Sequence, residues 1–162
     1  MQTDKHIRIG NGYDVHRLAG GRDFWLGGCC ITHTKGCVAH SDGDVLIHAI
    51  CDALLGAAAL RDIGFHFPDS DPKYKGIDSK QLLTDTMSLV RAEGYEVGNV
   101  DTVVCLQSPK IAVCIPDMRQ TLARVMQVSE TRISIKATTT EGLGFEGREE
   151  GVSAYAVALL TK

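Results

Sequence analysis

The chain has 162 residues, 44% of them hydrophobic and 23% charged, with a formal net charge of −3; this is an ordinary globular composition with enough length to bury one core without disulfide staples. The acidic balance leaves no basic patch or stripe for nucleic acid, and no apolar run reaches the length of a membrane span. The stretch from Met1 to His6 lacks the apolar core of a signal peptide, so the expected location is a bacterial-type cytoplasm.

Ile7-Arg8-Ile9 alternates and reads as a first strand. Phe24-Trp25-Leu26 and the residues around Cys30-Ile31 form an extended pair broken by Gly27-Gly28. Asp42 is the expected cap of a long helix over residues 43–60, where Leu46, Ile50, Ala53, Leu54 and Ala57 follow helical spacing. Ser79 is the expected cap of a second helix, with Leu83, Met87 and Val90 on one face and Gly94 as its stop. Residues 100–106 are rich in β-branched side chains and predict a strand. Pro116 fits the first turn of a third helix reaching about Met126. Ile133-Ser134-Ile135 alternates as a strand, and residues 152–160 read as a closing strand. Strands interleaved with helices predict a single α/β domain, an α+β sandwich with a mixed sheet covered by helices.

Three segments carry chemistry. Asp14 and His16 stand two apart, so a strand presents both on one face, and His48 would join them from the long helix. One carboxylate and two imidazoles suit zinc and leave a fourth position for a substrate oxygen. Asp-x-His alone is a common polar turn, so the segments carry this reading only together. His40-Ser41-Asp42-Gly43-Asp44 lies at a helix start, where backbone N–H groups and the dipole favour an anion. Ser41 and Asp42 are also ordinary capping residues; His40 is harder to explain as a cap. Lys136 to Glu141 supplies an ammonium, three threonines and a carboxylate, then runs into a glycine-rich loop bearing Phe145 and Arg148. Such a run can cradle phosphates, with Glu141 as an oxygen ligand for Mg²⁺, although three threonines also suit a plain strand. The loop lacks the Gly-Lys-Ser/Thr ending of a P-loop. Between these segments, residues 62–72 form an acidic, proline-containing loop that composition alone reads as a turn. Six cysteines form no C-x-x-C pair and read as reduced thiols, with Cys51, Cys105 and Cys114 in apolar surroundings.

The blocks DVH, AHSDGDVLIHAICDALLGAAALRDIG, FPDSDP, GNVD, QSPK and KATTTEGLGFEGREEG, in that order, resemble the 2-C-methyl-D-erythritol 2,4-cyclodiphosphate synthase family in its stand-alone form. The resemblance spans residues 8–160. It leaves residues 1–6 as a short N-terminal extension of a single domain over 1–162, and His66 as an exposed residue without a carried-over role.

The resemblance implies a homotrimer with active sites at subunit interfaces, and release of CMP from a cytidine diphosphate substrate by intramolecular phosphoryl transfer. It implies Asp14, His16 and His48 as zinc ligands, and Glu141 as the ligand of Mg²⁺ or Mn²⁺ at the substrate diphosphate. His40 and Thr139 match transition-state stabilisers. Asp14, Val15, His16, His40 and Ser41 match contacts in the phosphate region, and Asp62, Ile63 and Gly64 with Phe67, Pro68, Asp69, Ser70 and Asp71 match the loop around methylerythritol. Leu106, Gln107, Ser108, Pro109, Lys110, Ile111 and Ala112 match the segment embracing cytidine; Thr138, Thr139, Thr140 and Glu141 match the diphosphate contacts. Phe145 and Arg148 match residues near the substrate and the trimer axis, where an isoprenoid diphosphate can bind. A zinc-dependent phosphoester hydrolase, or a binding trimer without turnover, is the alternative use of the same residues.

Overall fold

In the computed structural model, which describes residues 6–162, the first strand is far longer than its three alternating residues suggest. β1 runs Ile7–Gly20 and carries Asp14 and His16 within it. It pairs antiparallel with β7 (Gly151–Thr161) from Ile7 opposite Thr161 to Arg17 opposite Gly151, and its end pairs with β4 (Lys35–Val38), a strand without a sequence signal. β5 (Glu96–Cys105) lies on the other side of β7, and β6 (Ile133–Thr138) runs parallel to β5 at the far edge. The five-stranded order is β4-β1-β7-β5-β6. β2 (Phe24–Leu26) and β3 (Cys29–Ile31) form a separate hairpin whose turn, Gly27 and Gly28, has positive φ at both positions. Most of the expected N-terminal extension, residues 1–5, lies outside the described residues.

Helix α1 (Val45–Ala57) crosses β1 and β7. Its buried Ala49, Ala53 and Ala57 meet the strand at glycines: a Cβ on Gly10 would stand 2.0 Å from the Ala53 carbonyl oxygen, and one on Gly12 2.0 Å from that of Ala49. Backbone therefore lies on backbone here, which only glycine permits. The helix is capped by Asp44, not Asp42, and is shorter than expected. Gly43, with φ +76, turns the chain so that the Asp44 side chain accepts from Ile47 N at 3.0 Å. The same fully buried carboxylate accepts from Gly27 N and Gly28 N at 2.9 and 2.6 Å, tying the β2–β3 turn to the helix start.

α2 is one turn, Ile63–His66, within the acidic loop. α3 (Ser79–Ala92) is capped by Asp78, with Ser79 as its first residue, and ends before Gly94 at φ +80. α4 (Ile115–Met126), with Pro116 in its first turn, forms the crossover between parallel β5 and β6. α5 is another single turn, Gly144–Gly147.

The even positions of β7 (Val152, Ala154, Ala156, Ala158 and Leu160) are buried under α1, and α3 and α4 complete one core. Odd positions face the other way. Ile9, Tyr13, Val15, Tyr155 and Val157 are exposed, with the Tyr13 and Tyr155 rings 4.8 Å apart. This is an α+β two-layer sandwich whose sheet has one bare apolar face. No helix among the described residues is long and apolar enough to cross a membrane.

Candidate active site

Strand alternation puts Asp14 and His16 on the face that carries Gly10 and Gly12, towards α1. Because those glycines bring the helix down onto the strand, His48 from the first turns of α1 reaches both. Asp14 Oδ2 lies 3.0 Å from His16 Nε2 and 3.0 Å from His48 Nδ1, and the two imidazole nitrogens are 3.1 Å apart. A tetrahedral divalent ion with ligand bonds of about 2.0–2.1 Å sets its donors about 3.3 Å apart, close to this triangle. The donor set and its geometry fit such a metal, and no other group of three candidate ligands converges among the described residues.

The three side chains are largely buried, and their lone pairs face one another. Without a cation, a proton must fill the gap. Burial alone would raise the Asp14 pKa, but hydrogen bonds from His16 and His48 overcome it and lower it to about 2. Burial alone would lower the His48 pKa, and Asp14 overcomes that, raising it above 6.5. His48 Nε2 points away from the triangle, 2.9 Å from Ser79 Oγ and 3.3 Å from Ser41 Oγ.

The triangle forms one wall of a cavity of about 230 Å³. His40 and Ser41 line it, as do Ile63, Gly64, Phe67 and Asp69. His40 Nε2 is buried without a hydrogen-bond partner, and a buried polar atom of this kind wants a ligand or water. Ser41 Oγ accepts from Gly43 N at 3.1 Å, leaving its proton to donate. Ala39, Tyr74, Ile77 and Leu82 complete the wall; no local sequence signal marks these four, because they arrive from separate elements. Asp62, Pro68, Ser70 and Asp71 stand outside the lining. Asp62 caps α2 by accepting from Phe65 N at 2.9 Å, and Asp71 accepts from Lys73 N. Asp52, one helical turn after His48, accepts from Ile63 N at 2.8 Å and fixes the start of this loop; its i+4 spacing from His48 was a legible clue. His66 is half-buried rather than exposed, with Nε2 2.7 Å from the Leu60 carbonyl oxygen.

The rest of the expected site lies elsewhere on the same chain. Leu106, Gln107, Pro109, Lys110, Ile111 and Ala112 surround a second cavity of about 170 Å³, with Thr138 and Thr139 on its wall. Ser108 stands between its lining residues. Thr140 Oγ1 donates to the Leu143 carbonyl oxygen, and exposed Glu141, at φ +55, has Oε1 3.3 Å from Thr139 Oγ1. Lys136 lines none of these cavities; its ammonium pairs with Asp101 on the bare sheet face. Phe145 and Arg148, with Val15, Arg17 and Lys35, border a third cavity of about 670 Å³, where Arg148 forks onto Glu150 with two 3.1 Å bonds. All six cysteines are free thiols. Cys51 and Cys37 are buried, and burial pushes each thiol up to about 12. Cys105 and Cys114 are only half-buried.

The YgbB family model matches residues 7–161. A 2-C-methyl-D-erythritol 2,4-cyclodiphosphate synthase from Porphyromonas gingivalis is 65% identical over 156 residues, 96% of this chain and 96% of its own. Among solved structures, the bifunctional IspDF from Campylobacter jejuni has a TM-score of 0.94 and 44% identity over 98% of this chain, which spans 43% of that longer one. A 2C-methyl-D-erythritol-2,4-cyclodiphosphate synthase in its CDP-bound form has a TM-score of 0.88 and 41% identity, covering 94% of this chain and 99% of its own.

Proposed function

Because the chain belongs to the YgbB family, whose matched relatives are 2-C-methyl-D-erythritol 2,4-cyclodiphosphate synthases, we propose that its reaction runs between the metal-bearing cavity of one protomer and the Leu106–Thr139 cavity of the next. The activity is the cyclisation of 4-diphosphocytidyl-2-C-methyl-D-erythritol 2-phosphate in non-mevalonate isoprenoid biosynthesis. An oxygen of the 2-phosphate attacks the β-phosphorus. As that P–O bond forms, the bond from the β-phosphorus to the bridging oxygen breaks, and CMP leaves with the electron pair. The substrate carries its own nucleophile, so the protein must hold two anionic groups together and neutralise them.

The observation that carries this reading is the convergence of Asp14, His16 and His48 on the wall that also presents His40 and Ser41. Asp14, His16 and His48 would hold zinc and Glu141 would hold Mg²⁺ or Mn²⁺; bound there, the ions would supply Lewis-acid neutralisation of the phosphate and diphosphate charge. The unpartnered His40 Nε2 donates to the phosphate oxygens and, with Thr139, stabilises charge as the ring closes. Ser41 donates its free hydroxyl proton to the same group. The Asp62–Gly64 turn and the Phe67–Asp71 loop hold the methylerythritol hydroxyls, and Leu106 to Ala112 holds the cytosine end.

His40 and Thr139 line different cavities of one protomer, which supports a site completed by a second copy. The bare face around Tyr13 and Tyr155 supports a homotrimer packed sheet to sheet; apolar faces of this kind mark interaction surfaces. Phe145 and Arg148 then lie near the trimer axis, where the basic groups around their cavity suit an isoprenoid diphosphate. Phosphorus NMR of the products formed with zinc and Mg²⁺ tests the reading. A cyclic diphosphate plus CMP is expected. Inorganic phosphate or a linear monophosphate would overturn it in favour of a hydrolase, and substrate bound without turnover would reduce it to a binding protein.

A further inference from the structure

Behind the ligand triangle runs a chain of polar groups that the reaction does not touch. Asp42 is neither a cap nor a pocket residue. Its Oδ2 accepts from Ser79 N at 2.9 Å, and its Oδ1 accepts from Asp44 N at 3.2 Å and from Ser79 Oγ at 2.5 Å. Ser79 is wholly buried at the start of α3, and its oxygen stands 2.9 Å from His48 Nε2.

The proton count along this chain is fixed. A carboxylate can only accept, so the single hydroxyl proton of Ser79 goes to Asp42. The Ser79 oxygen is then left with lone pairs, and its bond to His48 requires the proton on Nε2. Nδ1, the atom facing Asp14 and His16, is consequently the one with a lone pair to give. Ser41 Oγ, at 3.3 Å from Nε2, accepts a hydrogen bond from Gly43 N and keeps a lone pair with which it can receive the same Nε2–H.

Two backbone bonds run beside the chain. Gly76 N donates to the His40 carbonyl at 2.8 Å, and Asp42 N donates to the Ile77 carbonyl at 3.2 Å. The His40–Asp42 loop is thereby fastened to the segment that leads into α3.

We infer that Asp42 and Ser79 are positioning residues, an outer chain that locks His48 in its Nε2–H tautomer and so sets both the metal affinity and the placement of the His40–Ser41 loop. This rests on Asp14, His16 and His48 being the metal ligands. Outer partners of a metal-bound histidine typically hold about 10–100-fold in metal affinity. The readout is the affinity of the intact protein for Zn²⁺ alone, measured by competition with a chelator, alongside nitrogen NMR of the His48 ring in metal-free protein at high pH.

Ser79→Ala is expected to weaken Zn²⁺ binding about 10–100-fold and to replace the pure Nε2–H signature with a mixture of tautomers. Asp42→Asn turns one of the two accepting oxygens into an NH2 group, so Ser79 N and Ser79 Oγ can no longer each be met by their own oxygen; it should loosen the Ser79 hydroxyl, release Nδ1–H tautomer and weaken Zn²⁺ while leaving the Ser79 side chain present. The double variant should lose little more than the worse single one, because the residues act in series. If His48→Ala abolishes Zn²⁺ binding while both Ser79→Ala and Asp42→Asn retain wild-type affinity and tautomer, the outer chain has no such role. If His48→Ala itself keeps stoichiometric Zn²⁺, the ligand assignment beneath it is wrong. Should Ser79→Ala fail to fold, the half-buried Asp42→Asn decides between these outcomes.

Discussion

Replacing Gly12 by alanine adds one methyl group, and its effect follows from where that carbon would sit. The new Cβ would stand 2.0 Å from the Ala49 carbonyl oxygen and 2.8 Å from Ala53 N. Ordinary contact begins near 3.4 Å, so α1 must retreat from β1 by about 1.4 Å, because the obstructing atoms are backbone and no rotamer relieves them. His48 rides on that helix, whereas Asp14 and His16 stay on the strand. Ligand distances tolerate only about ±0.2 Å, so the triangle opens beyond what a single ion can bridge. Overpacking of this kind costs about 1–3 kcal/mol, partly offset by the reduced freedom of the unfolded chain, about 0.4–1 kcal/mol. We expect a net loss of about 1–2 kcal/mol in urea unfolding of the metal-free protein, and a fall in Zn²⁺ affinity of more than about 100-fold, beyond the range of an outer-shell change. Gly56→Ala is the control: it lies in the same helix, where the nearest atom to a new Cβ is Asn11 O at 4.0 Å, and it should gain up to about 1 kcal/mol from helix propensity with Zn²⁺ affinity unchanged. A Gly12→Ala protein with wild-type stability and affinity would refute the claim that backbone approach sets the metal geometry.

Asp44→Ala removes the acceptor for Gly27 N, Gly28 N and Ile47 N. Losing a cap and leaving buried N–H groups unsatisfied should cost about 3–4 kcal/mol in denaturant titration; a loss below about 1 kcal/mol would mean that water or rearrangement satisfies them. Below the raised pKa of His48 a metal must displace a proton, so Zn²⁺ affinity should fall about tenfold per unit as the pH drops, and a flat profile from pH 8 to 5 would contradict the coupling. Metal-free stability runs the other way: the His48 contribution is complete below pH 6.5 and lost as the pH rises through its higher folded value. Tyr155→Glu places a charge in the middle of the bare sheet face. Light scattering should then show single copies where the proposed trimer would give three, and a mass unchanged from that of the native chain would exclude that face as the interface.

Much of the chemistry was legible because it is local. Asp-x-His is placed by strand alternation and His48 by the helix, while His40 to Asp44 and Thr138 to Arg148 stood out by residue type alone; the order of these blocks identified the family. The long helices were legible too, since α3 and α4 each bury a stripe at helical spacing and α1, buried nearly all round, is a long run of apolar residues and alanines. The choice between Asp42 and Asp44 as cap was not. Both types suit the position, and the turn at Gly43 puts only Asp44 over the helix end while Asp42 is drawn to α3. β1 was largely hidden because Gly10, Asn11, Gly12 and Asp14 are poor strand formers. Unbroken pairing with β7 from Ile7 to Arg17 and the close packing of α1 override that preference.

The sequence by itself determined the family, the ligand types and the succession of elements, because residue identity and near-neighbour spacing fix these. Only the tertiary structure decided that His48 meets Asp14 and His16 at 3.0 Å, since that contact depends on two glycines under a helix more than thirty residues away. It also decided that the expected substrate contacts divide between separate cavities of one chain, and that Ser79 and Asp42 stand behind the metal ligands. Contacts between distant segments are set by packing and register, which no short window of sequence specifies.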